Sequence, residues 1–170
     1  FPLGVSYILQ NNGYPLTKGF DAVVYGNIPG GGMSRSASLT INLLMTMLDV
    51  NGLKLSEDFD AVTLSQKVEN EYIGCPCGVL DQTMIYFAKA NMGTHFNPQT
   101  KAVTYVPLGG TAGDKLRVVG LDTGTVRHGL EKSTYVVRRA ECEQLVALVK
   151  EKGTADIQTL ADVKTEDTYQ

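Results

Sequence analysis

The chain has 170 residues, of which 43% are apolar and 19% charged, with 15 Lys and Arg against 18 Asp and Glu for a net charge of −3. That length can bury a core as one domain, or as one domain and part of a second. The mild acidity argues against broad nucleic-acid binding, and the longest apolar run, around Leu43 to Leu48, is too short to cross a bilayer, so a membrane role is not expected either.

In chain order, Gly4 to Asn12 has the texture of a helix end closed by Asn12-Gly13, and Ala22 to Ile28 is apolar and β-branched enough for a strand. Three glycines follow, in Pro29-Gly30-Gly31-Gly32-Met33-Ser34-Arg35-Ser36. From Ser36, the apolar positions Ala37, Ile41, Leu44 and Leu48 recur at helical spacing until Asn51-Gly52 stops them. Ser56-Glu57-Asp58 predicts a second helix running to about Tyr72. Gly74 to Gly78 reads as a turn, and a shorter helix starts at Asp81. Beyond Asn91, Thr94 to Asn97, Val103 to Val106 and Leu116 to Asp122 are short β-type runs, split by Pro107 and the Gly109 to Gly113 loop. A long helix is predicted from about Ser133 to Lys150, closed by Gly153. Strands and helices mix without regular βαβ spacing, which favours an α+β fold over a doubly wound sheet. The first residues carry no basic–apolar–small leader pattern, and the helical opening and unpunctuated close lead us to expect part of a longer protein.

The three cysteines, Cys75, Cys77 and Cys142, are an odd number at low density, which suits a reducing cytoplasm. Cys75-Pro76-Cys77 invites a zinc reading, but the other donors, Cys142, His95 and His128, are scattered, so buried inert thiols are expected. The glycine run admits an anion close to the backbone at the start of a helix, where the dipole favours negative charge; it lacks the Gly-Lys-Ser/Thr of a Walker A loop. From the residues alone the run is also readable as a tight turn, Asp81 as a helix N-cap, Glu69 as a solvated helix position and Tyr135 as a boundary aromatic.

Four signatures in order decide between these readings: the glycine loop, Val68-Glu69-Asn70-Glu71-Tyr72-Ile73-Gly74, Cys77-Gly78-Val79-Leu80-Asp81-Gln82, and Ser133-Thr134-Tyr135-Val136-Val137-Arg138-Arg139-Ala140-Glu141-Cys142. Together they resemble the galactokinases of the GHMP small-molecule kinase superfamily, over nearly the whole chain. The resemblance implies the α+β GHMP kinase fold, its N-terminal ATP-binding domain over 1–130 and the start of its C-terminal domain over 131–170. It implies an ATP-dependent sugar 1-kinase acting on galactose, cytoplasmic and monomeric when complete. A relative acting on galacturonate, arabinose or N-acetylgalactosamine, or a silent sugar and ATP sensor on the same fold, is the alternative.

The implied roles run residue by residue. Pro29, Gly30, Gly31, Gly32, Met33, Ser34, Arg35 and Ser36 line the ATP phosphates; Ser36 and Glu69 hold Mg²⁺; Asp81 is the general base or charge stabiliser at the anomeric hydroxyl; Gly78 and Tyr135, with Asp81, face the sugar. Arg138 and Arg139 are read as an exposed basic turn. Two departures stand out. Galactokinases usually carry Ser-Ser-Ser where this chain has Ser34-Arg35-Ser36, and Arg35 is expected to reach the nucleotide phosphates bidentately. The family's N-terminal sugar motif and C-terminal glycine-rich motif are not among these residues, so the chain alone is expected to have little kinase activity.

Overall fold

The computed structural model describes residues 1–26, 32–108, 119–121, 124, 132–153 and 157–163, and of residues 132–135 the backbone alone. The chain divides into two compact units, residues 1–128 and 129–170.

The first unit is built on a helical platform. Helix α1 (Pro2–Asn11) begins with Pro2 where an unpaired N–H is expected anyway, and it buries Gly4, Val5, Ile8 and Leu9 along one stripe. Helix α2 (Arg35–Val50) buries Ala37, Thr40, Ile41, Leu43, Leu44, Met47 and Leu48. Helix α3 (Asp60–Lys67) buries Ala61, Val62, Leu64 and Ser65, and helix α4 (Leu80–Phe87) buries Gln82 and Thr83. Helix α2 touches α1, α3 and α4 in turn, so the core is organised around it. Val5, Ile8, Leu9, Leu44 and Val68 lie at its centre. Gly4 permits the closest approach in this core. A Cβ there would stand 2.8 Å from Tyr72 Cδ1 and 3.1 Å from Val68 Cγ1.

Strands β1 (Met92–Asn97) and β2 (Ala102–Pro107) form an antiparallel hairpin with Met92 opposite Pro107 and Asn97 opposite Ala102. Asn97 Oδ1 accepts the Gln99 and Thr100 N–H groups to shape its turn. The Phe59 ring stacks on Phe87 and Phe96, joining the entry to α3, the end of α4 and β1. In the second unit, α5 (Lys132–Glu151) is closed by Gly153 at φ 68°, and a single 3₁₀ turn covers Leu160–Asp162. Arg138 and Arg139 are exposed, as expected, and pair along that helix with Glu141 and Glu143 at 2.8 Å each. No helix among the described residues is long and apolar enough to cross a membrane.

The α+β class and the helices at α1, α2, α4 and α5 follow the sequence expectation; four details do not. Ala22 to Gly26, the described part of the expected first strand, is not in a strand, with Val23 96% and Tyr25 88% exposed. A strand exists only through its ladder partner, and none is present among the described residues. The segment is fastened instead near Thr17 and Lys18, whose N–H groups both donate to Asn51 Oδ1 at 2.7 and 2.8 Å. Of the run Leu116 to Asp122, residues 119–121 are not in a strand, and the others lie outside the described residues. The second helix starts at Asp60 rather than Ser56, because the Asp60 carboxylate turns back to accept the Glu57 N–H at 3.0 Å. It is then relieved by a π-helical segment, Val68–Ile73. Cys142 is exposed rather than buried.

The close approach at Gly4 sets a stability prediction. Gly4→Val should destabilise the intact protein by about 1–3 kcal/mol through overpacking against buried Val68, read as a lower unfolding midpoint in urea with an unchanged slope.

Candidate active site

Three of the residues singled out in the sequence, Ser36, Glu69 and Asp81, lie where α2, the π-helical segment and α4 meet. Helix α2 opens through Gly32 at φ 76° and Ser34 at φ 52°, both left-handed, and Ser34 makes no side-chain cap bond. A left-handed serine is held against its intrinsic preference, and an uncapped helix start presents its first N–H groups outward. Arg35 is the first helical residue and is exposed, so its guanidinium avoids the cost of burial. Met33 is likewise exposed. Pro29, Gly30 and Gly31 lie outside the described residues.

From the second residue of α2, the Ser36 hydroxyl donates to Glu69 Oε2 at 3.3 Å. Gln82 Nε2, from the first turn of α4, donates to Glu69 Oε1 at 3.2 Å. Glu69 is 4% exposed, so it is a buried carboxyl rather than a solvated helix position. Burial pushes its pKa above the ordinary 4.5; the two hydrogen bonds oppose that rise, and the nearby charge of Asp81 adds to it. Asp81 is exposed in the first turn of α4. It does not serve as the N-cap, a position taken by Val79 without a side-chain bond.

Between Glu69 and Asp81 the chain makes a clamped turn. Gly74, left-handed at φ 77°, ends the π-helical segment, and the Cys75 N–H reaches the Glu69 carbonyl at 2.8 Å. Asn70 Oδ1 accepts the Cys77 N–H at 2.9 Å, while Gln66 Nε2 donates to the Cys77 carbonyl at 3.0 Å. Both polar groups of that peptide are therefore fixed by side chains of the preceding helix. The Cys77 thiol is pushed up to about 11 by burial and by the Glu69 charge, which makes it a poor nucleophile or metal ligand at neutral pH. Gly78, next in the chain, is exposed.

The arrangement brings Ser36, Glu69 and Asp81 together from three elements. Tyr135 belongs to the second unit and its side chain is outside the described residues. No group of three His, Cys, Asp or Glu gathers among the described residues. The oxygens of Ser36 and Glu69 are hard donors side by side, a donor set that fits a cation such as Mg²⁺, which takes few protein ligands and keeps phosphate and water for the rest. Sequence reasoning missed Gln66, Asn70 and Gln82, whose amides frame the site. With Val79 at the N-cap there is no capping box to announce Gln82, and only the tertiary fold turns it toward Glu69.

Known proteins resemble this chain over most of its length. The family description "GHMP kinases N terminal domain" matches residues 3–89. A galactokinase of Streptococcus thermophilus is 36% identical over 99% of this chain and 42% of its own length. One of Bacillus subtilis is 37% identical over 98% of this chain and 41% of its own. Among solved structures, Lactococcus lactis galactokinase complexed with galactose superimposes with a TM-score of 0.77 and 30% identity, over 95% of this chain and 40% of that one. The expected resemblance to galactokinases is borne out, and the chain spans about two fifths of the length of these relatives. This chain belongs to the GHMP kinase family.

Glu69 makes the fold pH-sensitive in a definite direction. Its folded pKa exceeds the unfolded one, so between the two values the folded state holds the extra proton, and stability falls as pH rises through that window. Glu69→Gln keeps both hydrogen bonds, the new amide donating to Ser36 and accepting from Gln82. Without divalent cations it should raise the melting temperature at pH 7, by about 2–4 °C per kcal/mol recovered. The gain over the parent should vanish below the ordinary carboxylate range, as calorimetry across pH would read.

Proposed function

We propose that the protein containing this chain transfers the γ-phosphoryl group of ATP to the anomeric hydroxyl of galactose, giving galactose 1-phosphate and ADP. Identity to galactokinases along almost the whole chain supports the reading. The observation that carries it is the meeting of Ser36, Glu69 and the Asp81-bearing turn below the uncapped start of α2.

Phosphoryl transfer asks a protein mainly for positioning and charge neutralisation. The loop would line the phosphates from Pro29, which has no N–H, onward, with the N–H groups of Gly30, Gly31, Gly32, Met33 and Ser34 as donors and the α2 dipole behind them. Arg35, exposed at the head of α2, would add a charged donor to the same phosphates. Ser36 and Glu69 would hold Mg²⁺, which when bound supplies neutralisation of the phosphate charge. Asp81 would accept the proton of the anomeric hydroxyl as its oxygen forms the bond to the γ-phosphorus and ADP leaves. Gly78, with no Cβ beside Asp81, and Tyr135 would contact the sugar. The setting we infer is cytoplasmic, with a monomeric enzyme that engages neither nucleic acid nor membrane.

Two measurements on the intact protein test the reading, both following ADP release with galactose as acceptor. Asp81→Asn should lower kcat by about 10²- to 10⁴-fold, the usual contribution of a positioned base, with the KM for ATP within threefold. Full activity in that variant would remove Asp81 from the chemistry. Arg35→Ser should raise the KM for ATP by about tenfold, the loss of one charge-assisted contact. An unchanged KM and kcat would show that Arg35 faces only solvent.

A further inference from the structure

Gln82 is the most heavily constrained polar residue near the site, and simple packing does not explain it. It is 2% exposed. Standing third in α4, an amide ordinarily reaches back to the N-cap peptide, yet α4 has no side-chain cap bond. Its Nε2 is directed to Glu69 Oε1 at 3.2 Å and lies 3.6 Å from Cys77 Sγ. Its Oε1 is buried with no partner. A buried acceptor left unpaired is costly, and methionine would fill the same space without it. Glutamine is therefore informative here for its donor, and that donor has one close carboxylate to serve.

We propose that Gln82 is a positioning residue: its amide holds one oxygen of Glu69 and so reserves the other, Oε2 beside the Ser36 hydroxyl, for the divalent cation that accompanies ATP. The inference rests on the reading of Glu69 as a ligand of that cation. Fixing the rotation of a carboxylate is what a hydrogen bond behind a metal ligand does. Gln82 is well placed for it, because the Cys77 peptide on its other side is clamped by Asn70 and Gln66. It also follows Asp81 directly on α4, so the same bond ties the base-bearing turn to the ligand-bearing one.

The experiment uses the intact protein with a non-hydrolysable ATP analogue and follows the loss of the free Mn²⁺ signal by electron paramagnetic resonance on titration. Gln82→Met should weaken Mn²⁺ binding by about tenfold, the lower end for a residue behind a metal ligand. It should raise the apparent KM for Mg²⁺ by about the same factor, with the KM for galactose within twofold. In a Glu69→Gln background, adding Gln82→Met should change Mn²⁺ binding by less than about twofold, since the carboxylate it orients is gone. Should the methionine variant not fold, Gln82→Asn, an amide one methylene too short for Glu69, is read in the same way. Mn²⁺ binding that is lost in Glu69→Gln but unchanged in Gln82→Met overturns the positioning role alone. Binding unchanged in Glu69→Gln overturns the ligand reading of Glu69, and the role of Gln82 falls with it.

Discussion

Burial of the Glu69 carboxyl is the constraint on which the rest of the site depends. A carboxylate removed from water is tolerated only when hydrogen bonds replace its hydration. Here the replacements come from two other elements, Ser36 on α2 and Gln82 on α4. Three segments far apart in sequence must therefore meet at one point, and none can slide without exposing an unpaired charge. The apolar face of α2 supplies the platform that makes this possible. Ile41, Leu44 and Leu48 pack against Val5, Ile8, Leu9 and Val68, fixing the direction in which Ser36 projects.

The polar frame around Glu69 has a local logic as well. The π-helical segment widens the chain just where Glu69 must face α2 while Asn70 faces the returning turn. Such segments insert an offset into an otherwise regular helix and are frequent at functional sites. The offset is sealed by the bond from the Cys75 N–H to the Glu69 carbonyl and by left-handed Gly74. The Cys77 peptide, held by Asn70 and Gln66, then delivers the chain to α4 at a fixed angle. Cysteine at that position is a packing choice; its thiol, raised by burial, has no chemistry to contribute at neutral pH.

The parts legible in the sequence are those set by short-range periodicity. Ala37, Ile41, Leu44 and Leu48 announce α2, and Asn51-Gly52 announces its end, because amphipathic spacing and a left-handed stop act within a few residues. The hairpin is legible for the same reason. Ala22 to Gly26 misleads, since Val23, Val24 and Tyr25 have strand composition while strand formation is decided by a partner elsewhere. The site divides along the same line. Ser36, Glu69 and Asp81 stand out through family signatures, whereas periodicity alone reads Glu69 as solvated and Asp81 as a cap. Gln66, Asn70 and Gln82 were not found, because an amide side chain bonds equally well to its own helix or to a distant turn, and only the tertiary packing decides.

Several uncomfortable features of the described residues gather in one place, though left-handed Asn91 and Lys101 lie elsewhere. Ser34 is left-handed without a cap bond, Glu69 is a buried acid beside the charge of Asp81, and Gln82 keeps an unpaired carbonyl. Of the other buried hydroxyls, those of Thr40 and Thr83 donate to backbone carbonyls one turn back, while that of Ser65 on α3 has no partner. A fold selected for stability alone would relieve each of these with a capped helix start, a neutral residue at 69 and a methionine at 82. Local rules are broken together where a ligand can repay the cost, and a divalent cation with a nucleotide would do so on three counts. Its positive charge would offset the burial of Glu69, its phosphates would satisfy the open N–H groups of α2, and both would hold the left-handed entry at Ser34 in place.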